Sequence, residues 1–258
     1  MTKYVKDLPF SDYLKIDALS QSAIKLFREC PAKYDLMKHC FFPNVQSKAQ
    51  KLGSAFEIIV LEPKKKDSLI ITECKTEAAK EYKEAVENNP DKIILTAGDG
   101  ADIIRWAGCT ADLMFAHDIK GDSQVSAFTE INDMAVKCRF DLIDHEKKII
   151  YDLKLMNDAS PEAFSKDLYK YGYFVQAALY RMIAGKDYQF KFIVQEKHDY
   201  GTDDRFTALY SMYDTDYEIA ETIIFETIEK IKKASELNDF YGYGQRQIAL
   251  PKWAVSNV

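Results

Sequence analysis

Residues 136–155 carry the pattern that most restricts the fold of this chain: two runs of alternating apolar and polar side chains, separated by a polar link at 145–148. Such alternation on both sides of a short link predicts a β-hairpin. A link of this length places Asp144 opposite Ile149. The same register predicts an apolar face that packs in the core, in which Leu142 faces Tyr151, Phe140 faces Leu153 and Cys138 faces Leu155.

The other face of the predicted hairpin carries charged side chains. It pairs Asp141 with Asp152 and Arg139 with Lys154. Two opposed carboxylates have Cβ atoms roughly 5 Å apart and repel each other unless a cation lies between them. Oxygen ligands without histidine or cysteine favour magnesium or manganese over zinc. The alternative is a solvated outer face with diagonal compensation between acids and bases, and the hairpin alone does not decide between the two.

A single helix is predicted over residues 160–185, because this segment begins with a capping serine and a proline and ends at a glycine. Gln176 and Tyr180 are four residues apart and share one face of it. Tyr169 and Tyr173 continue the same stripe, for which an aromatic core face is the alternative interpretation. A buried glutamine is harder to explain by packing, because its amide needs hydrogen-bond partners.

The rest of the chain is predicted to be helical at the front and to contain strands in its second half. Helices are predicted at 20–29, from Pro31, and at 51–61, 74–88, 99–115 and 215–237, and strands at 92–95, 124–131, 188–197 and 206–213. We therefore expect one α/β domain with a central mixed β-sheet flanked by helices. In it, a mainly helical part (1–118) precedes the sheet and the Gln176 helix (119–214), and a helix and tail (215–258) follow.

Composition limits the class of protein. A chain of 258 residues, 47% of them hydrophobic, is long enough for one large α/β domain. The net charge of −6 argues against indiscriminate nucleic-acid binding, although an acidic protein can still carry a local basic groove. The apolar runs are too short to span a bilayer and the N-terminus lacks a signal peptide's apolar segment, so a cytoplasmic location is expected. The scattered cysteines, never spaced as CxxC, predict neither disulfides nor a structural zinc site.

Five short motifs give the chain a resemblance to a known family. Asp141 followed by Asp152-Leu153-Lys154 resembles the D…(D/E)xK signature of the PD-(D/E)XK nucleases. Gln176 with Tyr180 resembles the QxxxY motif of their RecB-like and exonuclease VIII-like branches. Three further segments resemble LSxSxI…SPAxY, GSAFHxxVLEP and LPxWA, namely 19–24 (LSQSAI) with 30–34 (CPAKY), 53–63 (GSAFEIIVLEP) and 250–254 (LPKWA). The motifs occur in the order found in the RecE (exonuclease VIII) family of phage exonucleases and extend over most of the chain.

Two positions depart from the family pattern. Glu57 stands where the family usually has a histidine associated with metal binding. Glutamate also provides an oxygen ligand, so the position can still bind a metal. Phe174 stands where some relatives have histidine, and the polar contact made by that histidine is not expected here.

The resemblance implies a restriction-endonuclease-like core with bound magnesium, for which manganese can substitute, and no iron–sulfur cluster. It implies that Glu57, Asp141, Asp152 and the backbone carbonyl of Leu153 hold the metal. Lys154 would orient or deprotonate the attacking water and offset developing negative charge. The positions of the metal cluster or of the DNA backbone would be set by Gln176 and Tyr180.

The resemblance also implies how DNA is bound and used. Ser22, Arg28 and Lys33 are candidates for holding the DNA end, with a solvated helix surface as the alternative for each. Arg139 is expected on the same side as the metal, where it could contact a phosphate. Members of the family digest linear double-stranded DNA from 5′ ends, assemble as rings and act in recombination with a single-strand annealing protein.

Three alternatives compete with this interpretation. The iron–sulfur branch of the same superfamily requires cysteines near the C-terminus, whereas the last cysteine here is Cys138. A non-catalytic DNA-binding or assembly protein could retain the fold, but intact Asp141, Asp152 and Lys154 argue against lost chemistry. An unrelated soluble enzyme would require the ordered motifs to be a coincidence.

Overall fold

The computed structural model describes residues 1–39, 46–198, 201, 204–245 and 247–249. The strands are β1 (Lys3–Val5), β2 (Leu69–Ile71), β3 (Ile93–Leu95), β4 (Asp122–Ile131), β5 (Met134–Asp144), β6 (Ile149–Met156), β7 (Gln189–Glu196) and β8 (Thr207–Tyr210). The α-helices are α1 (Phe10–Lys15), α2 (Gln21–Glu29), α3 (Pro31–His39), α4 (Lys48–Leu61), α5 (Lys80–Asn88), α6 (Ala97–Ala116), α7 (Pro161–Lys170), α8 (Tyr173–Ala184) and α9 (Asp214–Leu237). No helix within these ranges is both long and apolar enough to cross a bilayer.

A six-stranded sheet organises the molecule. Its strands lie in the order β1-β4-β5-β6-β7-β8. β6 and β7 are parallel and are connected through α7 and α8, whereas the other neighbours are antiparallel. β2 and β3 form a separate parallel pair. The sheet is therefore mixed and flanked by helices, which confirms the predicted fold class.

Hydrophobic cores cover both faces of this sheet. On β7, Phe192 belongs to a core shared with α8 and α9, and its neighbour Ile193 belongs to a core shared with α4 and α6. Successive side chains of a strand point to opposite faces, so the two cores lie on opposite sides. Each such buried side chain contributes roughly 1.5–3 kcal/mol to folding. A charged side chain on the central strands therefore lies beside one of these cores on either face.

The predicted helix over residues 160–185 is wrong in one respect, because it consists of two helices, α7 and α8. They are separated at Tyr171 and Gly172, and Gly172 has a φ of 74°. A left-handed residue cannot continue an α-helix, and glycine adopts this conformation without a Cβ penalty. The break interrupts the helical periodicity that seemed to join Tyr169 to Tyr173.

Other differences from the predicted elements lie in the first half of the chain. β1, β2 and α1 were not predicted, and the helix predicted at 74–88 begins only at Lys80. The preceding segment contains bends and a turn instead, and at its start Thr72 N–H donates to the Leu95 carbonyl (2.9 Å) while the Cys74 carbonyl accepts from Ala97 N–H (3.0 Å). These bonds prolong the pairing of β2 with β3. The motif at 250–254 lies outside the described residues.

Two glycine substitutions should have opposite effects on stability. Gly172→Ala places a Cβ at a positive φ and should lower the free energy of unfolding by about 1 kcal/mol. Gly108→Ala is the matched control, because its Cβ would meet nothing within 4 Å on α6, and it should raise stability by about 0.5–1 kcal/mol. Urea unfolding measures both, and a neutral or stabilising Gly172→Ala would contradict the assignment of the helix break.

Candidate active site

The predicted hairpin is formed, but its strands stay together only beside the link. β5 and β6 pair, as predicted, at Leu142 with Tyr151, Ile143 with Ile150 and Asp144 with Ile149. Beyond these pairs, β6 is paired along its length with β7. Within the described strands, Asp141 is therefore not paired with Asp152, nor Arg139 with Lys154, and that part of the predicted register is wrong.

Asp141 lies where strand pairing is interrupted on both sides. The register between β4 and β5 omits Asp141 and Gln124, and Gln124 has a φ of 53°. Asp141 Oδ2 instead accepts a hydrogen bond from the N–H of Leu153, at 2.8 Å. The carboxylate thus satisfies a backbone group that would otherwise need a strand partner. This bond brings Asp141 next to the Asp152-Leu153-Lys154 segment although the strands have separated.

The predicted apolar face of the hairpin is confirmed at Leu142 and Tyr151, which pair and share one core, but it is wrong beyond that pair for the same reason. Phe140 and Cys138 lie in the core under α8 and α9, whereas Leu142 lies with Leu153 in the core under α4 and α6. Phe140 and Leu142 are two residues apart yet lie on opposite faces, so the alternation is broken at Asp141. Phe140 does not face Leu153, and Cys138 does not face Leu155, which packs against the other core.

Asp152 is almost completely buried, with 1% of its surface exposed. Its Oδ2 atom forms an ion pair with Nζ of Lys154. Its Oδ1 atom accepts a hydrogen bond from Nε2 of Gln176, at 2.5 Å. The helix α8 therefore brings Gln176 to the aspartate of the DxK segment, which supplies the partner that a buried amide requires.

Burial and like charge perturb the neighbouring acids. Burial raises the pKa of Glu57 to about 7, the charge of Lys154 opposes this rise, and the charge of Asp152 adds to it. The pKa of Asp141 is raised well above its ordinary value by burial, then by Asp152 and by Glu57. Glu57 on α4 thus lies within electrostatic reach of both aspartates, which were predicted to share a site with it.

Lys154 is held in its charged form by these acids. Burial alone would lower the pKa of Lys154, but the negative charges of Asp152 and Asp141 outweigh burial and raise it. An ammonium group in this environment keeps its proton at neutral pH. It therefore offers positive charge and hydrogen-bond donors to the site.

The acids provide oxygen ligands of the kind that a divalent cation needs, although the carboxylates of Asp141 and Asp152 already contact protein groups. Among the described residues, no group of three or more His, Cys, Asp or Glu is arranged to hold a metal ion. Lys154 and Gln176 contact the oxygens of Asp152, and the Leu153 N–H contacts Asp141. Carboxylates are hard oxygen ligands that suit magnesium or manganese. Since Asp152 and Glu57 raise the pKa of Asp141, a positive ion among them would relieve their repulsion.

A cleft of about 1390 Å³ opens onto these acids, and Glu57, Asp141 and Tyr180 all line it. The ring of Tyr180 packs edge-on against Phe140, with ring centroids 5.4 Å apart, so one side of the ring belongs to the core. Burial raises the pKa of Tyr180 well above its ordinary value, so its hydroxyl stays protonated. Tyr180 can thus offer a neutral donor at the wall of the cleft.

Two basic residues of β5 form part of the same cleft wall. Arg139, a predicted phosphate contact, donates from Nε to Gln124 Oε1 (2.8 Å) and from Nη1 to the Leu8 carbonyl (3.0 Å). Lys137 was not singled out by sequence reasoning, and it donates from Nζ to the carbonyls of Tyr13 (2.8 Å) and Ile16 (2.7 Å). Both side chains therefore fasten the segment around α1 to the sheet. The two residues are two positions apart on β5 and so share one face of the strand, and this spacing could have predicted that Lys137 accompanies Arg139.

The predicted DNA-end residues are not gathered in one place. Ser22 lines the cleft and shares a hydrogen bond with Ser20 Oγ at 2.9 Å. Arg28 and Lys33 are exposed, and neither belongs to the described lining of the cleft. Lys33 Nζ lies over the ring of Tyr243, 5.5 Å from its centroid. Of these three residues, only Ser22 belongs to the described lining of the cleft that opens onto the acids.

Two tyrosines that were predicted to share a stripe have different environments. Tyr169 is 79% exposed and stacks on Phe174, with centroids 5.9 Å apart. Tyr173 instead contacts the acidic cluster through Lys154, whose Nζ lies 4.6 Å from the ring centroid. The break at Gly172 separates the two, so the sequence periodicity could not show that only Tyr173 reaches the site.

The raised pKa of Glu57 should make stability depend on pH. Its pKa in the folded protein, about 7, exceeds the ordinary value of 4.5, so the folded state binds this proton more tightly. The free energy of unfolding of metal-free protein should therefore fall as the pH rises from 4.5 to about 7. Glu57→Gln should flatten this fall, whereas Glu84→Gln, on an exposed acid, should not. Urea unfolding in chelator across this range tests it, and identical slopes for all three proteins would contradict the assignment.

Comparison with known proteins gives a family match and similar solved structures. Residues 20–245 match the family described as a PDDEXK-like domain of unknown function (DUF3799). A search of curated protein sequences gave no match. The structure is similar to that of a protein from Eubacterium rectale assigned provisionally as an exonuclease, with 16% identity, a TM-score of 0.67 and 98% of each chain covered. This likeness supports the fold.

A more distant similarity links the chain to the crystal structure of a phage-related exonuclease from Haemophilus somnus. The identity is 14%, the TM-score is 0.38, and the alignment covers 90% of this chain and 91% of the other. At this TM-score the similarity carries no argument about the fold or the site.

Proposed function

This chain belongs to the family of PDDEXK-like domains, and on that basis we propose that it is a divalent-metal-dependent deoxyribonuclease that digests linear double-stranded DNA from its ends. The resemblance to the PD-(D/E)XK superfamily seen in the sequence is confirmed by the family match. One observation carries the proposal: Asp141, Asp152 and Lys154 lie together with Glu57 beside a cleft, although the strands that bear them have separated. The exonuclease assignment of the similar E. rectale protein is consistent with it.

Magnesium is the proposed cofactor, with manganese as a substitute. Glu57, Asp141, Asp152 and the carbonyl of Leu153 are the residues that would hold it. A bound divalent ion polarises the scissile phosphate and lowers the pKa of a bound water. The carboxylates supply the negative charge that retains such an ion, and Glu57 and Asp141 present theirs at the wall of the cleft.

The protein's own groups support the displacement at phosphorus. Lys154 is held protonated by Asp152 and Asp141, which favours a role in orienting water and offsetting negative charge over a role as the base. Gln176 holds Asp152 in one orientation through its amide, so it positions the cluster. Tyr180 and Arg139 line the cleft and would contact the DNA backbone there.

The finer parts of the proposal come from the resemblance to RecE-like exonucleases. We infer digestion from 5′ to 3′, which leaves single strands for recombination by annealing, in a ring-shaped homo-oligomer that works with a single-strand annealing protein. Ser22 would contact the DNA end within the cleft. Arg28 and Lys33 would contact DNA only where it extends beyond the cleft, because both lie outside the cleft lining.

Asp152→Asn should abolish most of the activity, because it removes one charge from the proposed metal ligands and weakens the ion pair with Lys154. We expect kcat on linear duplex DNA with magnesium to fall at least about a hundredfold. Asp187→Asn is the control, since Asp187 is exposed and pairs with Lys148 on the surface. Release of nucleotides from linear DNA measures the rate, and unchanged activity of Asp152→Asn would overturn the mechanism.

The same assay separates the possible activities. Equal digestion of closed circular DNA would indicate an endonuclease, and DNA binding without digestion by the wild type would favour a non-catalytic protein of the same fold. Substrates labelled at the 5′ or the 3′ end distinguish the two polarities.

Magnesium itself should stabilise the folded protein. At ten times its dissociation constant the ion should raise the free energy of unfolding by about 1.4 kcal/mol. Asp141→Asn should lose most of this gain, and Asp187→Asn should keep it. Urea unfolding at pH 8 with magnesium or with chelator measures the difference, and an equal gain in the Asp141 variant would place the ion elsewhere.

A further inference from the structure

Tyr173, the first residue of α8, presents its ring to Lys154. The Nζ atom of Lys154 lies over the ring, 4.6 Å from the ring centroid, and pairs with Asp152 at the same time. The Lys154 side chain is only 15% exposed. Attraction between an ammonium group and a ring face is stronger where water is excluded. Lys154 is therefore held from two directions, by a carboxylate and by an aromatic face.

The ring of Tyr173 is itself held in place. Tyr173 follows Gly172, whose φ of 74° turns the chain into α8. The carbonyl of Gly172 accepts a hydrogen bond from Nε2 of Gln21 on α2, at 3.3 Å. Tyr171 and Phe192 pack against the ring, with centroids 5.5 Å and 6.3 Å away. The ring is thus a fixed surface against which a mobile side chain can be oriented.

We propose that Tyr173 is a positioning residue, whose ring face sets the direction in which Lys154 presents its ammonium group to the reacting phosphate. This inference rests on the proposed nuclease function. Lysine has a flexible four-carbon stem, and an ion pair with one carboxylate leaves its ammonium free to pivot. If Asp152 shares its charge with a bound cation, the ion pair weakens, whereas the attraction of Lys154 to the ring does not depend on that carboxylate.

Substitution of the ring should reduce turnover more than DNA binding. In Tyr173→Leu we expect kcat to fall about fivefold to thirtyfold, with KM changed by less than about twofold. Tyr173→Phe keeps the ring face and its packing, so it should recover most of the lost rate. Tyr169→Leu is the matched control, because Tyr169 is an exposed tyrosine that stacks on Phe174, and it should leave kcat unchanged.

Fluorinated phenylalanines at position 173 separate the electrostatic effect from packing. Successive fluorine atoms keep the ring in place and weaken the negative potential of its face, so kcat should fall step by step along the series. A flat series would overturn the proposal. These variants also cover the case in which Tyr173→Leu does not fold.

The contact can be observed without metal, DNA or catalysis. In protein labelled with ¹³C at lysine Cε, the ring current of Tyr173 should shift the Lys154 methylene signal upfield, and Lys154→Arg identifies that signal by its loss. The shift should persist in Tyr173→Phe and vanish in Tyr173→Leu. A signal that does not respond to Tyr173→Leu would contradict the contact.

The outcomes distinguish the inference from the function on which it rests. Active wild-type protein with unchanged kcat in Tyr173→Leu, or with equal losses in the Leu and Phe variants, would overturn the positioning role and leave the nuclease function standing. Folded wild-type protein without nuclease activity in magnesium or manganese would overturn the function, even where the lysine signal shows that the contact exists.

Discussion

Repulsion among buried carboxylates is the constraint on which the rest of this site depends. Glu57 and Asp141 have raised pKa values because each is buried close to other acids, and Asp152 is almost completely enclosed. Protein groups offset part of this negative charge. Lys154 and Gln176 contact the carboxylate of Asp152, and the N–H of Leu153 donates to Asp141. Each is a single donor group, and together they leave an acidic cluster that a divalent ion can complete.

The double covering of the sheet explains why these groups meet. α4 packs on one face and brings Glu57, while α8 packs on the other and brings Gln176. Gln176 donates a hydrogen bond to Asp152, and Glu57 lies within electrostatic reach of the same aspartate. β5 and β6 are not paired beyond Leu142 and Tyr151, which leaves a gap between the two strands. A continuous sheet would keep the two helical layers apart. The gap thus gives side chains from both layers access to one point.

Sequence patterns predicted the parts of this arrangement that depend on local chemistry. The alternating runs and the polar link predicted the hairpin and the pairs next to the turn, and the spacing of Gln176 predicted an inward-facing amide. The separation of β5 from β6 could not be predicted, because alternation records which side chains are apolar and not which backbone groups are paired. Tyr173 was placed on one stripe with Tyr169, but Gly172 at positive φ resets the helical phase between them, so the pattern could not show that Tyr173 contacts Lys154 and Tyr169 does not. Lys137 escaped notice because its partners lie in α1 and at the residue that follows it, and α1 is a short helix with no clear pattern of its own.

The turn at 145–148 is the main connection between β5 and β6, because these strands pair only next to it. β6 pairs with β7 along its length, and β5 pairs with β4. β5 and β6 pair with each other only at the residues next to that turn. Asp144 Oδ1 braces it by accepting hydrogen bonds from the N–H groups of Glu146 and Lys147, both at 2.9 Å, and Lys148 holds a φ of 55°. The turn therefore joins two paired halves of the sheet, β4 with β5 and β6 with β7. Asp141 and Asp152 lie on the two strands that this turn joins, so their spacing depends both on the turn and on the hydrogen bond from the Leu153 N–H to Asp141.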